Sequence, residues 1–341
     1  MVPCGLRRVE LEGIDMDVVL RYRNLFLKVV DAKVLESHFA WAGKMFENIM
    51  TFLWKKVASP IMDAIASAPS QRRGLKKPRV FWLSTSLTSF FPIHAAGDYD
   101  DPQPGRFVHD RVVSSYTPSV QVLKHMRTLF DKFEGTASHT GDTEALLVGM
   151  RSTPGRTDLR ADVELDVIRA SLPSTMSNEP LMEPKSDQVL LKLSTCTLVH
   201  FACHGVSNGE DPSLSKLLLQ DWKRNPFTVR KLISAKVHNC RLAYLSACET
   251  MSVKDARTHD EGIHLAGGFH MAGIPQVIST SWSVDDDVSA AVASMFYSFL
   301  DNGEDQLDFK GAAIALDNVV QILRDQGVHA LLWGAYVHSG V

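Results

Sequence analysis

The sequence predicts an α/β sandwich with a mainly parallel central sheet and helices on both faces. Short runs of apolar and β-branched residues alternate along the chain with segments of helical periodicity, a pattern typical of strands joined by crossover helices. Several of the predicted strands are apolar at every position, as expected for a sheet that is covered on both sides.

The N-terminal half supplies helices first and strands later. Apolar residues recur at steps of three and four through residues 15–66, which indicates helix. Strands are expected at 80–83 and 145–148, the second ending at a glycine. Residues 112–123 are apolar but interrupted by Ser, Thr and Pro. Helical periodicity returns at 159–172 and again at 189–193.

The C-terminal half contains two long apolar strands, at 196–204 and 240–248, the first ending in His204 and the second in Cys248. A hairpin-like piece at 217–219 and a helix at 229–237 lie between them. A helix at about 261–271 and a strand at 277–282 are expected next. Helices at 287–300 and 309–323 and a last apolar strand at 331–337 complete the prediction.

Composition and motif content exclude several classes of protein. The 341 residues include 36 Lys and Arg against 39 Asp and Glu, and 45% are hydrophobic, as in ordinary globular proteins. No basic block or nucleic-acid motif is present, so no nucleic-acid partner is expected. No apolar stretch approaches the roughly 20 residues of a membrane-spanning helix, and no membrane association is expected. Phosphate-binding loops of ATP-driven enzymes are absent, and no cofactor is predicted.

The five cysteines are expected to be reduced thiols. They are an odd number in a large chain, and the N-terminus lacks the apolar core of a secretory signal, so a disulfide framework and export are both disfavoured. A cytoplasmic location is the expectation.

His204 and Cys248 are the residues most suited to chemistry. Ligands of parallel sheets bind beyond the carboxyl ends of the strands, and each of these residues stands where an apolar strand ends. Cys248 follows His204 by 44 positions, enough for a helix and a return strand. An imidazole beside a thiol lowers the pKa of the thiol and accepts its proton. Gly205 lets the backbone approach a substrate carbonyl and donate its N–H.

Three other interpretations compete with this one. Either residue alone is more often a packed core side chain than a catalytic one. Cys196, His200, Cys203 and His204 have zinc-ligand types, but alternation along a strand places Cys203 opposite the histidines. Ser207 lies in a Gly-x-Ser-x-Gly pattern, yet a turn follows it where a serine hydrolase requires a helix.

Several ordered motifs resemble the CHAT domain, a peptidase family related to caspases and separase. The two main motifs are His200-Phe-Ala-Cys-His204-Gly205 and Leu245-Ser-Ala-Cys248-Glu-Thr250. Further matches are Phe90 to Gly97, Gly262 to Gly273, Val277 to Asp286 and Trp333 to Gly340. The chain departs from the family at 84–89, where many relatives have a Gly-rich turn, and at Cys203, where Thr or Ser is common. Neither departure touches the histidine and cysteine.

The resemblance implies a caspase-like three-layer sandwich and a cysteine endopeptidase acting on protein or peptide substrates. It assigns His204 as base, Cys248 as nucleophile, and the N–H groups of Gly205 and Cys248 as the oxyanion hole. It also implies a domain over 52–341, with 1–51 as a helical segment, a remnant of the helical-repeat region that precedes the domain in many relatives. A helical-repeat or signalling partner is a further expectation, and a catalytically silent interaction module is the alternative.

Separase-like relatives carry an acidic residue near the segment that contains Asp285 and Asp286 and prefer a basic residue before the cut. The resemblance therefore implies that Asp285 or Asp286 forms the floor of a pocket for Arg or Lys. Acidic residues at this place are also typical helix caps, and that interpretation stays open.

Overall fold

The computed structural model describes residues 6–67, 77–135, 144–208, 210–235, 237–246 and 265–341. Its strands in chain order are β1 (Arg79–Trp82), β2 (Val113–Tyr116), β3 (Ala145–Gly149), β4 (Leu181–Met182), β5 (Leu198–Ala202), β6 (Gly205–Val206), β7 (Lys216–Leu217), β8 (Phe227–Thr228), β9 (Leu242–Leu245), β10 (Gln276–Thr280) and β11 (Tyr336–Gly340). Eight of them form one central sheet in the order β1-β2-β11-β10-β9-β5-β3-β4, and β6, β7 and β8 form a small separate sheet.

The central sheet is mainly parallel, as predicted. Strands β10, β9, β5, β3 and β4 pair in parallel. Strand β11 is antiparallel to β10 and parallel to β2, which in turn is parallel to β1. The strands β1, β2 and β11 therefore run opposite to the other five, and the only antiparallel pairing among the described strands of this sheet is between β10 and β11.

Helices cover both faces of the sheet. They are α1 (Met16–Val29), α2 (Ala32–Leu53), α3 (Ser59–Ala66), α4 (Val108–Arg111), α5 (Val120–Gly135), α6 (Ala161–Ser171), α7 (Ser186–Leu193), α8 (Val229–Ala235), α9 (Leu265–Met271), α10 (Asp286–Leu300), α11 (Ala312–Asp325) and α12 (Ala330–Trp333). None of the helices in the described ranges is long and apolar enough to span a bilayer.

Two apolar cores result from the alternation of side chains along the strands. In β5, Leu198 and Ala202 belong to the core shared with α1, α2, α6, α10 and α11. Val199 and Phe201 belong to the core under α7, α8 and α9, as does Cys203 just beyond the strand. The three-layer arrangement follows directly from strands that are apolar at every position.

The N-terminal helices pack into the first of these cores. The Phe26 and Phe46 rings on α1 and α2 each lie 5.7 Å from the Trp282 ring, between centroids. Asp15 begins α1 by accepting a hydrogen bond from the Val18 N–H at 2.8 Å, as N-cap residues do. The predicted boundary at residues 51 and 52 stays a prediction.

Two stretches differ from the sequence prediction. Residues 331–337 were expected to be one strand, but α12 occupies 330–333 and β11 starts at Tyr336. The His329 side chain accepts a hydrogen bond from the Leu331 N–H at 3.1 Å and caps a helical turn there. Helix α5 was missed although Val122, Met126, Leu129 and Phe133 recur at steps of three and four, because its first turn lies inside the apolar run at 112–123 that also contains β2.

Candidate active site

The site lies at the edge of the sheet where β5 and β9 end. These strands are neighbours and parallel, with Phe201 opposite Leu245, which confirms the prediction that the two strands lie side by side. The Ser246 N–H extends the ladder by donating to the Phe201 carbonyl at 2.9 Å. Cys248 comes two positions later and lies outside the described residues, so its distance to His204 stays a prediction.

His204 is fixed by a backbone carbonyl. Its ring is buried, with 7% of the residue exposed, and Nε2 lies 2.8 Å from the carbonyl oxygen of Thr157, in the loop between β3 and α6. A carbonyl only accepts hydrogen bonds, so Nε2 carries the hydrogen and donates it. In the neutral ring, Nδ1 therefore keeps its lone pair and is the nitrogen able to accept a proton.

The N–H of Gly205 points away from its own small sheet. In the antiparallel pair of β6 and β7, Gly205 lies opposite Leu217. The Leu218 N–H donates to the His204 carbonyl at 2.8 Å, so the preceding pair, His204 and Leu218, is the hydrogen-bonded one. Because such pairs alternate along an antiparallel ladder, Gly205 and Leu217 form a pair whose N–H and carbonyl groups face outward. This N–H is not used by the ladder.

The three consecutive carboxylates at the start of α10 have separate roles. Asp285 is the N-cap, and its carboxylate accepts from the N–H groups of Asp287 and Val288 at 2.9 and 3.4 Å. Asp287 forms an ion pair with the Arg160 guanidinium. Asp286 is half-buried and accepts a hydrogen bond from the Arg160 N–H at 2.9 Å. The helix-cap interpretation therefore applies to Asp285.

Asp286 is the carboxylate that the surroundings perturb. Burial raises the pKa of Asp286, the Arg160 hydrogen bond opposes that rise, and the charges of Glu164 and Asp285 add to it. A charge on His204 acts on Asp286 in the opposite direction. Asp286 is thus less solvated than Asp285 and Asp287, which are both exposed.

A buried polar network lies behind His204. His200, four positions earlier, has 0% exposure and is hydrogen bonded at both ring nitrogens. Nε2 lies 3.1 Å from Oε1 of Glu164 on α6, and Nδ1 lies 3.1 Å from the hydroxyl of Tyr297 on α10. The Tyr244 ring of β9 stacks on the imidazole at 4.6 Å between centroids.

The family follows from a comparison of the whole sequence with family models. The CHAT domain model matches residues 47–341. The chain belongs to the CHAT domain family. A search of curated proteins gives no match.

Solved structures similar to this CHAT domain are caspase-like peptidase folds. The complex of Porphyromonas gingivalis RgpB pro- and mature domains aligns with TM-score 0.51 and 9% identity, over 84% of this chain and 69% of that one. The Arg specific cysteine proteinase gingipain R aligns with TM-score 0.51 and 11% identity, over 84% and 68%. Saccharomyces cerevisiae separase, in its complex with securin, aligns with TM-score 0.51 and 13% identity, over 97% of this chain but 23% of separase.

At such low identities, the likeness establishes the fold. The expected caspase-like sandwich is thereby confirmed, and the CHAT domain spans less than a quarter of the separase chain. Activity and substrate are separate questions, which depend on the residues at the strand ends.

Sequence reasoning did not find Thr157, Arg160 or Glu164. Thr157 acts through its backbone carbonyl, which carries no residue signal. Glu164 did leave a signal: it is a charged residue within the buried stripe of α6, beside Leu165 and Ile168, and a buried charge needs a partner. The histidine motif of the CHAT domain supplies that partner in His200.

The zinc and serine alternatives are not favoured by the geometry of the CHAT domain. Cys196 and Cys203 lie in the apolar core on one side of β5, whereas His200 makes its hydrogen bonds on the other. No group of three or more metal-ligating side chains is gathered within the described ranges. After Ser207, the next helical residues described are the short 3-10 turn Pro212–Leu214.

Proposed function

We propose that this CHAT domain is a cysteine endopeptidase that cleaves protein substrates with Cys248 as nucleophile and His204 as base. One observation carries the proposal. The Thr157 carbonyl holds His204 through Nε2, leaving Nδ1 as the proton acceptor at a sheet edge shared with the strand that leads to Cys248. A base oriented by a third group beside a nucleophile is the arrangement that activates thiols.

The proposed reaction uses each of these groups in turn. His204 Nδ1 takes the thiol proton of Cys248, and the thiolate attacks the substrate carbonyl carbon. The N–H groups of Gly205 and Cys248 stabilise the resulting oxyanion. The imidazolium returns its proton to the leaving amine, and a water molecule then hydrolyses the acyl-enzyme with the same base. Supporting this role, the Gly205 N–H faces outward from its ladder.

We further propose that the enzyme cleaves after Arg or Lys and that Asp286 is the carboxylate that receives the basic side chain. Asp285 was an equal candidate from the sequence, but its carboxylate already caps α10. Asp286 keeps one oxygen beyond its hydrogen bond to Arg160 and is half-buried. Pairing in a partly desolvated pocket gives charge selectivity.

Cleavage of a peptide library by the wild type, Cys248→Ala and His204→Ala tests the activity. We expect both variants to lose cleavage and the double variant to lose little more than either one, because the pair acts as a unit. Cys203→Ala, which removes a buried thiol beside the site, is the control and should keep cleaving. If Cys203→Ala were inactive although folded, or if Cys248→Ala cleaved normally, the assignment of the nucleophile would be wrong.

Matched peptides with Arg, Lys, Asp or Leu before the scissile bond test the specificity. Asp286→Asn should lower kcat/KM for the Arg peptide by about 10-fold or more, as loss of a charge-assisted hydrogen bond predicts, and leave the Leu peptide unchanged. As the pH is lowered, protonation of Asp286 should weaken the Arg preference. Because the pKa of Asp286 is raised, this loss should begin at a higher pH than it would for an ordinary aspartate. A preference for Asp or Leu, or an Arg preference that survives Asp286→Asn, would exclude this pocket.

A further inference from the structure

We infer that Glu164 and His200 are positioning residues for the proposed dyad. Their buried hydrogen bond fixes residues 157–164, here called the α6 entry, against β5 and so keeps the Thr157 carbonyl on His204. The inference rests on the proposed function, since it explains how the base of that reaction is held. Neither Glu164 nor His200 is proposed to contact the substrate.

The α6 entry is attached at two points to the segment formed by β5 and the two residues after it. At one end, His204 Nε2 donates to the Thr157 carbonyl at 2.8 Å. At the other, Glu164 Oε1 lies 3.1 Å from His200 Nε2. The two histidines are four positions apart along the same chain segment, and the two partners are seven positions apart. Between them, the Arg160 N–H donates to Asp286 at 2.9 Å and links the entry to α10.

The Thr157 end of the entry is more exposed than the Glu164 end and is supported by the Leu159 N–H, which donates to the Arg151 carbonyl at 2.9 Å, and by Leu159, which packs against the core. Thr157 is exposed, whereas Glu164 is buried with 6% exposure in the first turns of α6. The Glu164 bond therefore anchors the buried end of a short segment whose exposed end holds the base. Removal of the anchor frees the carbonyl to shift relative to β5, and a shift of about 1 Å in a positioning group can cost about 100-fold in rate.

The hydrogen-bond pattern suits a rigid support. Burial raises the pKa of Tyr297, so its hydroxyl stays protonated and can donate to His200 Nδ1. His200 Nε2 then donates to the Glu164 carboxylate, and both ring nitrogens are satisfied in the neutral form. The stacked Tyr244 ring fixes the plane of the imidazole. Hydrogen bonds at both ring nitrogens and a ring stacked on one face together hold the His200 imidazole in one orientation.

Folding stability alone does not explain why Glu164 and His200 are buried together. A charged carboxylate in an apolar core loses its hydration, and apolar residues of similar size often stabilise a protein as well or better. Leu165 and Ile168 fill neighbouring buried positions on α6 with apolar side chains. The polar pair stands where the α6 entry must be held at a fixed distance from β5, which is what a hydrogen bond provides.

Four variants distinguish a loss of His204 positioning from a loss of folding. Glu164→Leu and His200→Phe remove the hydrogen bond, the second keeping an aromatic ring against Tyr244. Glu164→Gln keeps an oxygen that accepts from His200. His338→Phe is the matched control: His338 is equally buried on β11 and bonded at both ring nitrogens, to Ser115 at 3.0 Å and Gln276 at 3.2 Å, but lies on the far side of β10.

For each folded variant, kcat and KM are measured on the best peptide, and the pH profile of Cys248 alkylation by iodoacetamide is recorded. We expect Glu164→Leu and His200→Phe to lower kcat about 10- to 100-fold with KM changed less than about threefold. Their alkylation profiles should shift towards the higher pH of an ordinary thiol, because His204 is no longer held where it lowers the pKa of the Cys248 thiol. Glu164→Gln should retain most of kcat, and His338→Phe should match the wild-type profile.

The outcomes distinguish this inference from the proposed function. If the wild-type Cys248 reacts no faster than the buried thiols, the proposed function fails and the inference falls with it. If the wild type reacts quickly and either Glu164→Leu or His200→Phe matches it in kcat and profile, the inference alone is overturned. A loss in Glu164→Gln as large as in Glu164→Leu would also overturn it, since charge and not the hydrogen bond would then be required.

Discussion

At the residue scale, the central feature is a histidine whose tautomer is set by a backbone carbonyl. The sequence predicted His204 because a polar residue ends an apolar strand there. It did not predict the Thr157 carbonyl, 47 positions away, because every residue has the same backbone carbonyl whatever its side chain. Side-chain chemistry can be predicted from residue types, whereas backbone partners need the folded chain.

Asp285 is predicted to act on stability as the N-cap of α10. Asp285→Ala should lower the free energy of unfolding by about 1 kcal/mol, the usual cost of removing a cap. Asp285→Asn should change it little, because asparagine caps equally well. Urea unfolding of the two variants measures this difference. Equal losses in both variants would mean that the charge of Asp285, and not its capping hydrogen bonds, stabilises α10. No loss in Asp285→Ala would mean that the cap contributes nothing.

At the element scale, prediction succeeded where burial is complete. Strands β3, β5, β9 and β10 are buried at every position. Strands β3 and β9 are therefore largely apolar, whereas β5 buries His200 and β10 buries Gln276, Ser279 and Thr280. Helix α5 was missed because its first turn lies in the same apolar run as β2. Helix α12 was missed because a four-residue helix and the following strand together look like one apolar run. Such short elements depend on caps and on pairing with β10, which are contacts made only in the fold.

Strand β11 provides a test of the single antiparallel pairing in the described central sheet. Gly340 pairs with Gln276, has φ +111°, and a Cβ there would lie 2.0 Å from the Pro275 carbonyl oxygen. Gly340→Ala should therefore cost about 3 kcal/mol, the upper end for a strained backbone position. Gly303 also has positive φ, at +80°, but has open space around it, so Gly303→Ala should cost about 1 kcal/mol. Equal costs in denaturant unfolding would contradict the close approach of Gly340 to Pro275.

At the scale of the whole molecule, buried neutral histidines link stability to pH. Burial lowers the pKa of His94 and of His270 to about 4 each. Burial also lowers the pKa values of His109 and His338 well below the ordinary value, and the nearby Arg324 and Arg79 respectively lower them further. These groups bind protons in the unfolded chain before they do so in the folded one.

The sign of the pH dependence follows. Above pH 6.5, these histidines are neutral in both states and have no effect. Between 6.5 and about 4, the unfolded state binds more protons, so the free energy of unfolding should fall as the pH is lowered, by up to about 3 kcal/mol each for His94 and His270. Urea unfolding at pH 7, 6 and 5 measures the slope, and His270→Gln should reduce it. An unfolding free energy that stays constant from pH 7 to 5 would show that these histidines are not buried in the neutral form.

The dyad of Cys248 and His204 is tested most directly by the rates at which the thiols react. The native protein is treated at pH 7 with mass-labelled iodoacetamide, and the label on each cysteine is followed over time. Cys196, Cys203 and Cys240 are all fully buried and should react slowly. We predict that Cys248 reacts at least about 10-fold faster than these three and that His204→Ala removes most of that advantage. A Cys248 that labels no faster than the buried thiols, or as fast without His204 as with it, would contradict the dyad.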